Sequence, residues 1–228
     1  MKKTQMIGML LLLAIGACAQ TSQPSAKVTA KTAAFTLLPK TTGTGGWQTV
    51  LENTIKTANQ KDLFIIAAFE VGLFTSTTVS SKNMVSDTSV GSAEVSVRVL
   101  LDGREVEPGV VVYGRRTQTL SATLEGAIGG CLVTTTNLDG SFSTTVNLAC
   151  VTPETITLIL DSLTASSFSF VAENVLQGVH TVQVQARINT IGSAQQGNYS
   201  ALGLVGKGVF TCESVRLIQD ANVPLDVP

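Results

Sequence analysis

The chain has 228 residues, of which 44% are hydrophobic and only 14% are charged, and its formal net charge at pH 7 is −1. This composition can supply a sizeable core, but it lacks the basic surface that nucleic-acid binding needs to neutralise phosphates. Beyond the N-terminal segment no apolar run reaches the roughly 18 residues of a transmembrane helix. Uncharged Thr, Ser, Asn and Gln must therefore cover most of the surface, as is typical of extracellular β proteins.

The N-terminus has the pattern of a secretory signal peptide. Lys2 and Lys3 precede an apolar segment over residues 6–15, and small residues follow that segment. A basic start, an apolar stretch of about 7–15 residues and a small-residue exit indicate a signal peptide and not a membrane span. The sequence therefore predicts export from the cytoplasm.

Two cleavage sites compete within this segment. The run Ile15-Gly16-Ala17-Cys18 resembles the lipobox of bacterial lipoproteins. The resemblance implies that residues 1–17 are removed and that Cys18 becomes the lipidated first residue, anchored in a membrane on its periplasmic or outer surface. Alternatively, Ala17-Cys18-Ala19 is a small-x-small site for ordinary signal peptidase, which would release a soluble secreted protein that starts at Gln20. We expect the lipoprotein.

The segment of residues 18–46 follows as a predicted flexible tether. It is rich in Thr, Ser, Ala, Lys and Gly, and it has few side chains to bury. Such composition leaves the entropy of ordering uncompensated, and a lipid anchor needs a spacer of this kind. The alternative is a frayed terminus with one weak edge strand near Phe35. Residues 47–228 are then the folded domain, as one β-sandwich or two small ones.

The folded region has mostly β patterns. Residues 62–78 form a long apolar run in which Gly72 could mark a bulge or a bend. Residues 80–92 are polar and are predicted as a loop, whereas residues 93–101 alternate strictly between apolar and polar. Further strands are predicted over residues 110–113, 117–124, 168–171, 179–188 and 202–218. Short strands and frequent turns predict an all-β fold, an antiparallel β-sandwich or a jelly-roll-like arrangement.

One segment, residues 153–164, is predicted as a short helix. Thr152 is a good N-cap, Pro153 suits the first helical position, and Glu154 suits the first turn. Apolar residues then recur at spacings of three and four, at Ile156, Ile159, Leu160 and Leu163. Because several residues here are β-branched, a strand remains the alternative.

Three cysteines remain once Cys18 is lipidated or removed. Asp139-Gly140 is a hairpin turn signal with β-branched residues on both sides, and a hairpin centred there brings Cys131 opposite Cys150 or within a residue of it. The sequence therefore predicts a Cys131–Cys150 disulfide with Cys212 reduced, the alternative being three unpaired core thiols. The spacing of the cysteines suits neither a zinc site nor a redox motif, and no metal or cofactor is predicted.

Catalytic residues are not evident. His180 is the only histidine, and it lies in phase with the apolar residues of a predicted strand, as a core or boundary residue does. The carboxylates are scattered, so that no pair stands out for acid–base chemistry. Tyr113, Tyr199 and the Arg115-Arg116 pair are the candidate ligand contacts, although strand-end tyrosines and edge-protecting arginines would look the same.

These patterns favour a tethered extracytoplasmic β-sandwich lipoprotein with a binding or structural role at the cell surface. Its expected partners are the membrane, through the lipid, and a protein or glycan ligand. The alternative is a soluble secreted sandwich that assembles into a surface layer or fibre through its strand edges. An enzyme that degrades polysaccharide or peptide comes third, and we expect a protein that is not an enzyme.

Overall fold

The computed structural model describes residues 28–34, 36–38 and 43–217, which form thirteen β-strands and no helix. Every strand pair in these ranges is antiparallel, and the predicted all-β class is confirmed. None of the described residues forms a helix long enough to cross a bilayer. The predicted signal peptide and Cys18 lie outside these ranges. The strands are β1 (Val28–Ala33), β2 (Thr36–Leu37), β3 (Gly43–Thr44), β4 (Gln48–Thr57), β5 (Lys61–Ser81), β6 (Val85–Leu101), β7 (Arg104–Glu105), β8 (Val111–Leu124), β9 (Leu132–Thr136), β10 (Phe142–Val146), β11 (Glu154–Val175), β12 (Gly178–Ala194) and β13 (Asn198–Val215).

Two sheets stack to form a sandwich. The front sheet has the order β11-β5-β13-β1, with β2 also paired to β13. In the back sheet, β6 and β12 pair at the centre, β7 and β8 pair with β6, and β3 and β4 pair with β12. β11 contacts β8, β5 contacts β6, β13 contacts β12 and β1 contacts β4, so the two sheets face each other strand by strand. A single hydrophobic cluster lies between them.

The central strand of the front sheet, β5, shows why this sequence forms a sandwich. Its odd-numbered residues point inward, where Leu63, Ile65 and Val71 are buried, and its even-numbered residues lie on the outer face. The predicted alternation in residues 93–101 is confirmed, because Val95 and Val97 of β6 are buried opposite β5. Burial of one apolar side chain is worth about 1.5–3 kcal/mol, so these inner faces supply the main driving force.

The predicted bulge or bend at Gly72 is wrong. β5 passes through Gly72 without a register shift, and the bulge is on β13, where two residues, Gly206 and Lys207, lie opposite Glu70. Position 72 requires a glycine because Leu204 lies over it, and a Cβ atom there would come within 2.6 Å of Leu204 Cγ. The glycine therefore permits a close cross-strand contact and does not turn the chain.

The predicted helix over residues 153–164 is also wrong, since this segment belongs to strand β11, which pairs with β5 along its length. β11 is an edge strand with apolar side chains on both of its faces. Ile159 and Leu163 are exposed on one face, and Ile156, Leu158 and Leu160 are half-exposed on the other. Apolar residues on both faces mimic the three- and four-residue spacing of a helix, whereas the β-branched residues favour the strand.

The predicted loop over residues 80–92 is reduced to a turn at residues 82–84, and β6 begins at Val85. The polar residues of this segment are satisfied within the sandwich. Buried Asp87 accepts hydrogen bonds from the N–H groups of Ser80 at 2.6 Å and Gln196 at 3.0 Å. The bond from Ser80 lowers the pKa of this carboxyl group, although burial opposes the shift. Polarity here therefore marks a hydrogen-bonded interior and not a solvent-exposed loop.

The predicted tether over residues 18–46 is wrong for part of its length. β1 pairs with residues 208–213 of β13, and Asn53 Nδ2 donates to Thr29 Oγ1 at 2.7 Å. Leu38 is buried in the core. The free edge of β13 supplies backbone hydrogen bonds that composition does not reveal, so that residues 28–33 form an edge strand. Phe35, near which the alternative placed a weak edge strand, lies outside the described residues.

The strand directions give the sandwich two distinct ends. We call the end at Lys61 the entry end, because Val28 lies there, opposite Glu213, which in turn pairs with Phe64. We call the other end, at Ser81, the hairpin end, because residues 125–153 leave and re-enter the sandwich there. At about 3.3 Å per residue, the two ends of β5 are separated by roughly 55–65 Å.

A buried glutamine joins the two sheets near the hairpin end. Gln118 of β8 accepts a hydrogen bond from Thr75 Oγ1 at 2.7 Å, and its Nε2 donates to Thr77 Oγ1 at 2.6 Å and to the Leu158 carbonyl at 2.7 Å. We expect Gln118→Ala to lower the free energy of unfolding by about 2–3 kcal/mol, since it leaves several buried polar groups unpaired. Denaturant titration measures this loss. Thr119→Ala, at the exposed neighbour, should change stability by less than about 0.5 kcal/mol, and equal effects of the two substitutions would contradict the role of Gln118.

Candidate functional site

A disulfide-closed hairpin projects from the hairpin end. The predicted Cys131–Cys150 bond is confirmed, with Cα atoms 5.5 Å apart. It closes the base of the β9–β10 ribbon, whose strands pair only with each other. At the base, Cys131 and Val151 are buried, and Lys82 Nζ donates to the Val151 carbonyl at 3.2 Å. The hairpin is therefore held at its base, and its outer part stands away from both sheets.

The turn of this hairpin is the one that Asp139-Gly140 predicts. Gly140 has a φ of +82°, and Asn137 N–H donates to the Ser141 carbonyl at 2.7 Å. Asp139 Oδ1 accepts hydrogen bonds from the hydroxyl and the N–H of Ser141, which hold the pKa of its carboxyl group below the usual range. These local bonds fix the geometry of the turn.

The hairpin exposes apolar side chains at its tip and along its strands. Leu138, within the turn, is fully exposed, and Phe142, the first residue of β10, is 75% exposed. Leu132, Val133, Val146 and Leu148 are also exposed. Clusters of this kind on a soluble domain are typical of interaction sites. The sequence predicts the hairpin but not this apolar surface. Its residues are of the kinds that ordinary strands bury, and only the structure shows that neither sheet covers them.

Tyr113, a predicted ligand contact, is instead a core residue. Its ring packs 6.2 Å from that of Phe69, centroid to centroid, and its hydroxyl donates to the Ala67 carbonyl at 2.7 Å. Burial raises the pKa of its phenol. The prediction of an exposed contact is wrong because this tyrosine lies within β8 on its inward face, where its hydroxyl finds a backbone acceptor.

The other predicted contacts do not form one site. Arg115 pairs with Glu94 on the outer face of the back sheet, and Arg116 Nη1 lies 3.5 Å from the Leu73 carbonyl. Both arginines lie within β8 and not between two strands. Tyr199 is half-buried with its ring against Gly192 of the opposite sheet, where a Cβ atom would clash with it.

Trp47 is neither a core anchor nor an open aromatic platform. Its indole is half-buried, and the guanidinium groups of Arg98 and Arg187 each lie 4.4 Å from the ring centroid. Both arginines belong to the back sheet. These cation–π contacts occupy the ring that a sugar would otherwise stack on.

The entry end contains a cavity of about 610 Å³ beside the only histidine. Its lining includes Asp102, Glu105, Glu107, Glu173, Leu176 and His180. No group of three metal-ligating side chains occurs in the part of the chain that the structure describes. The lining thus combines four carboxylates with the guanidinium group of Arg104 and a single imidazole.

His180 has acceptors on both of its ring nitrogens. Nδ1 lies 2.7 Å from Asp102 Oδ2, and Nε2 lies 2.8 Å from the Leu176 carbonyl oxygen. Only the doubly protonated ring can donate to both acceptors. Burial lowers the pKa of His180, but the bonds to Asp102 and Leu176 outweigh it and raise the pKa above its usual value. With both nitrogens bonded and its side chain 12% exposed, His180 is a boundary residue, as predicted.

Cys212 is a buried free thiol on β13, as the sequence predicts. Burial raises its pKa to about 12.

Comparison with known proteins identifies no family. No protein-family model matches the chain, and no curated protein does. Among solved structures, a chain of the infectious bursal disease virus T13 particle aligns with a TM-score of 0.25 and 13% identity over 90% of this chain and 40% of that one. A chain of the Gx strain of that virus aligns with a TM-score of 0.26 and 10% identity over 91% and 41%. The present chain thus spans about two fifths of these proteins, and TM-scores this low support neither a shared fold nor a shared role.

The bonds of His180 predict a pH-dependent contribution to stability. A raised folded-state pKa contributes stability that is fully present below the unfolded pKa of about 6.5 and is lost as pH rises through the folded value. We expect His180→Gln to destabilise the protein by on the order of 1 kcal/mol at pH 5.5, a modest effect because solvent screens this pair, and by less at pH 8.5. Denaturation midpoints at both pH values measure the difference. In an Asp102→Asn background the pH dependence should shrink, and an effect of His180→Gln that grew with pH would contradict the charged pair.

Proposed function

We propose that this protein is a lipid-anchored extracytoplasmic β-sandwich that presents the hairpin of residues 131–150 to a protein partner at the cell surface. The observation that carries the proposal is that the two ends of the sandwich differ. The described chain begins at the entry end, and the disulfide-closed hairpin projects from the opposite end.

The length of chain between Cys18 and Val28 supports an anchor near the entry end. Cys18 precedes Val28 by ten residues, which can span at most about 35 Å when extended. The hairpin lies at the far end of a sandwich about 55–65 Å long. A lipid on Cys18 would therefore keep the entry end near the bilayer and direct the hairpin away from it.

The hairpin has the properties of a pre-organised binding element. A disulfide and a hydrogen-bonded turn hold its exposed Leu138 and Phe142, so that little conformational entropy is lost when a partner covers them. Large apolar and aromatic side chains contribute most of the energy in protein interfaces. The bridge also suits an oxidising compartment outside the cytoplasm.

A protein partner fits this surface better than a glycan. Sugar-binding surfaces rely on open aromatic faces, but Trp47 is covered by two arginines and Tyr113 is buried. The hairpin itself offers one exposed aromatic ring, that of Phe142, among aliphatic side chains. The proposal assigns no catalysis to the entry-end cavity, because both ring nitrogens of His180 already have hydrogen-bond partners.

A second candidate is a freely secreted sandwich that assembles through its strand edges, and β11 favours it. This edge strand of 22 residues contains no Lys, Arg or Pro, the residues that commonly protect an edge against pairing. Its exposed side chains include Ile156, Ile159 and Leu163. The state of Cys18 distinguishes the two candidates.

We expect Cys18→Ser to move the protein from the membrane fraction to the soluble fraction and to abolish incorporation of labelled fatty acid. The reason is that the thiol of Cys18 is the only attachment point that the lipobox resemblance offers. Fractionation and intact mass measure both effects, with Ser22→Ala as the matched control. A wild-type chain that starts at Gln20 without lipid mass would contradict the anchor and favour the secreted assembly.

We expect the hairpin tip to contact a partner protein on intact cells. A photoreactive residue at position 138 should give a discrete cross-linked adduct, whereas one at position 119, on the outer face of the back sheet, should not. Phe142→Asp should reduce the adduct from position 138 by at least about tenfold, because a charge would then be buried in the interface. Thermal unfolding of Phe142→Asp should match the wild type, since Phe142 is exposed. Equal adducts from both positions, or none from position 138, would contradict the proposed role of the tip.

A further inference from the structure

The outer faces of the two sheets differ in chemistry. The outer face of the back sheet carries mainly polar and charged side chains, among them Glu52, Glu94, Arg98, Arg115, Gln183 and Arg187, together with the separate exposed side chains of Val112, Val179 and Ile191. The front sheet carries half-exposed or exposed apolar side chains, among them Phe64, Ile66, Phe74, Leu163, Leu204 and Val209. A β-sandwich whose outer faces both met water would be polar on both. The front face therefore has the character of an interface.

Two neighbouring grooves on the front sheet are lined largely by apolar side chains. A groove of about 420 Å³ runs over Gly72 between Leu37, Phe74, Leu163 and Leu204. A second groove, of about 460 Å³, passes over Ala68, Ala165 and Val209, and both grooves are lined by Glu70. From Phe64 to Phe74 this surface measures about 33 Å along the strands and about 19 Å across four strands. Its area of roughly 600 Å² is close to the 800 Å² or so that each partner contributes to a stable interface.

Two opposite charges lie at the centre of this surface, at the β13 bulge. Glu70 of β5 accepts a hydrogen bond from the backbone N–H of Lys207 at 3.2 Å. The exposed ammonium group of Lys207 pairs with no carboxylate in the described ranges. Apolar residues lie on either side along the strands, with Phe64, Ile66 and Val209 toward the entry end and the Gly72 groove toward the hairpin end.

We propose that the front sheet binds the front sheet of a second copy of this chain, face to face, about a two-fold axis that passes near Glu70 and Lys207. In this arrangement the axis runs along the strands between β5 and β13, so that Glu70 of each copy meets Lys207 of the other and the apolar surface toward the entry end of one copy covers the same part of its mate. A two-fold contact requires a self-complementary surface, and one acid and one base at the centre of an apolar face satisfy that requirement.

The same charges argue against a bilayer as the occupant. Glu70, Asp161 and Glu213 are on this face, and an anionic membrane surface would repel them. Faces that lie on membranes carry Lys and Arg with Trp or Tyr at the boundary, whereas the aromatic residues here are Phe64 and Phe74. The inference concerns a different surface from the hairpin, and it stands whether or not Cys18 is lipidated.

A charge-swap experiment tests the contact between copies. Two differently tagged copies of the full chain are produced in the same cells, and their co-purification in mild detergent is measured. We expect wild-type copies to co-purify. Pairs of Glu70→Lys copies, or pairs of Lys207→Glu copies, should co-purify at least about tenfold less, because like charges then meet at the axis. A Glu70→Lys copy with a Lys207→Glu copy should recover co-purification to within about threefold of the wild type.

The mixed pair separates an interface from a folding effect. Each chain of the mixed pair carries a substitution that weakens co-purification when both copies carry it. Misfolding, or a contact within one chain, therefore predicts no recovery of co-purification in the mixed pair. Thr119→Lys, which adds a charge to the outer face of the back sheet, should leave co-purification unchanged. Wild-type copies that do not co-purify would overturn the proposal. The front face would then have another occupant, either lipid or the chain's own terminal segments. Like-charged pairs that equal the wild type, or a mixed pair that fails to recover, would overturn it as well.

Discussion

The inward side of β5 has to be buried along all 21 residues of the strand, and the rest of the structure depends on this constraint. β11 and β13 flank β5 over nearly its whole length because no shorter partner would satisfy its backbone. The back sheet must be equally long to cover the inward side chains. The sandwich is therefore long and narrow, with its chain entry and its hairpin at opposite ends.

The buried interior changes character along β5. Toward the entry end it is apolar, with Leu63, Ile65 and Phe69, whereas toward the hairpin end it contains Thr75, Thr77 and the buried Gln118 and Asp87. A slip of two residues would keep apolar side chains on the inner face, but each buried polar group needs a particular partner. The polar half thus defines how the strands align and fixes the position from which the disulfide-closed hairpin projects.

Much of the fold could be predicted from sequence, and the failures share a physical cause. Strict alternation identified the second half of β6, and the Asp139-Gly140 turn identified both the hairpin and its disulfide. The helix prediction for residues 153–164 is wrong because an edge strand with apolar residues on both faces imitates helical spacing. The loop prediction for residues 80–92 is wrong because its polar side chains are buried among partners distant in sequence. The prediction of an exposed Tyr113 is wrong because its partners, Ala67 and Phe69, are likewise distant in sequence. In each case the outcome depends on neighbours that only the tertiary structure supplies.

The buried position of Cys212 has a consequence for thiol–disulfide exchange. The attacking species in such exchange is the thiolate, and a thiol with a pKa of about 12 is ionised in only about one molecule in 10⁵ at pH 7. The third cysteine of the folded domain is therefore both inaccessible and chemically inert toward the Cys131–Cys150 bridge. Mispairing is restricted to the interval before β13 joins the front sheet, and folded copies brought together at high local density would not become covalently cross-linked through this residue.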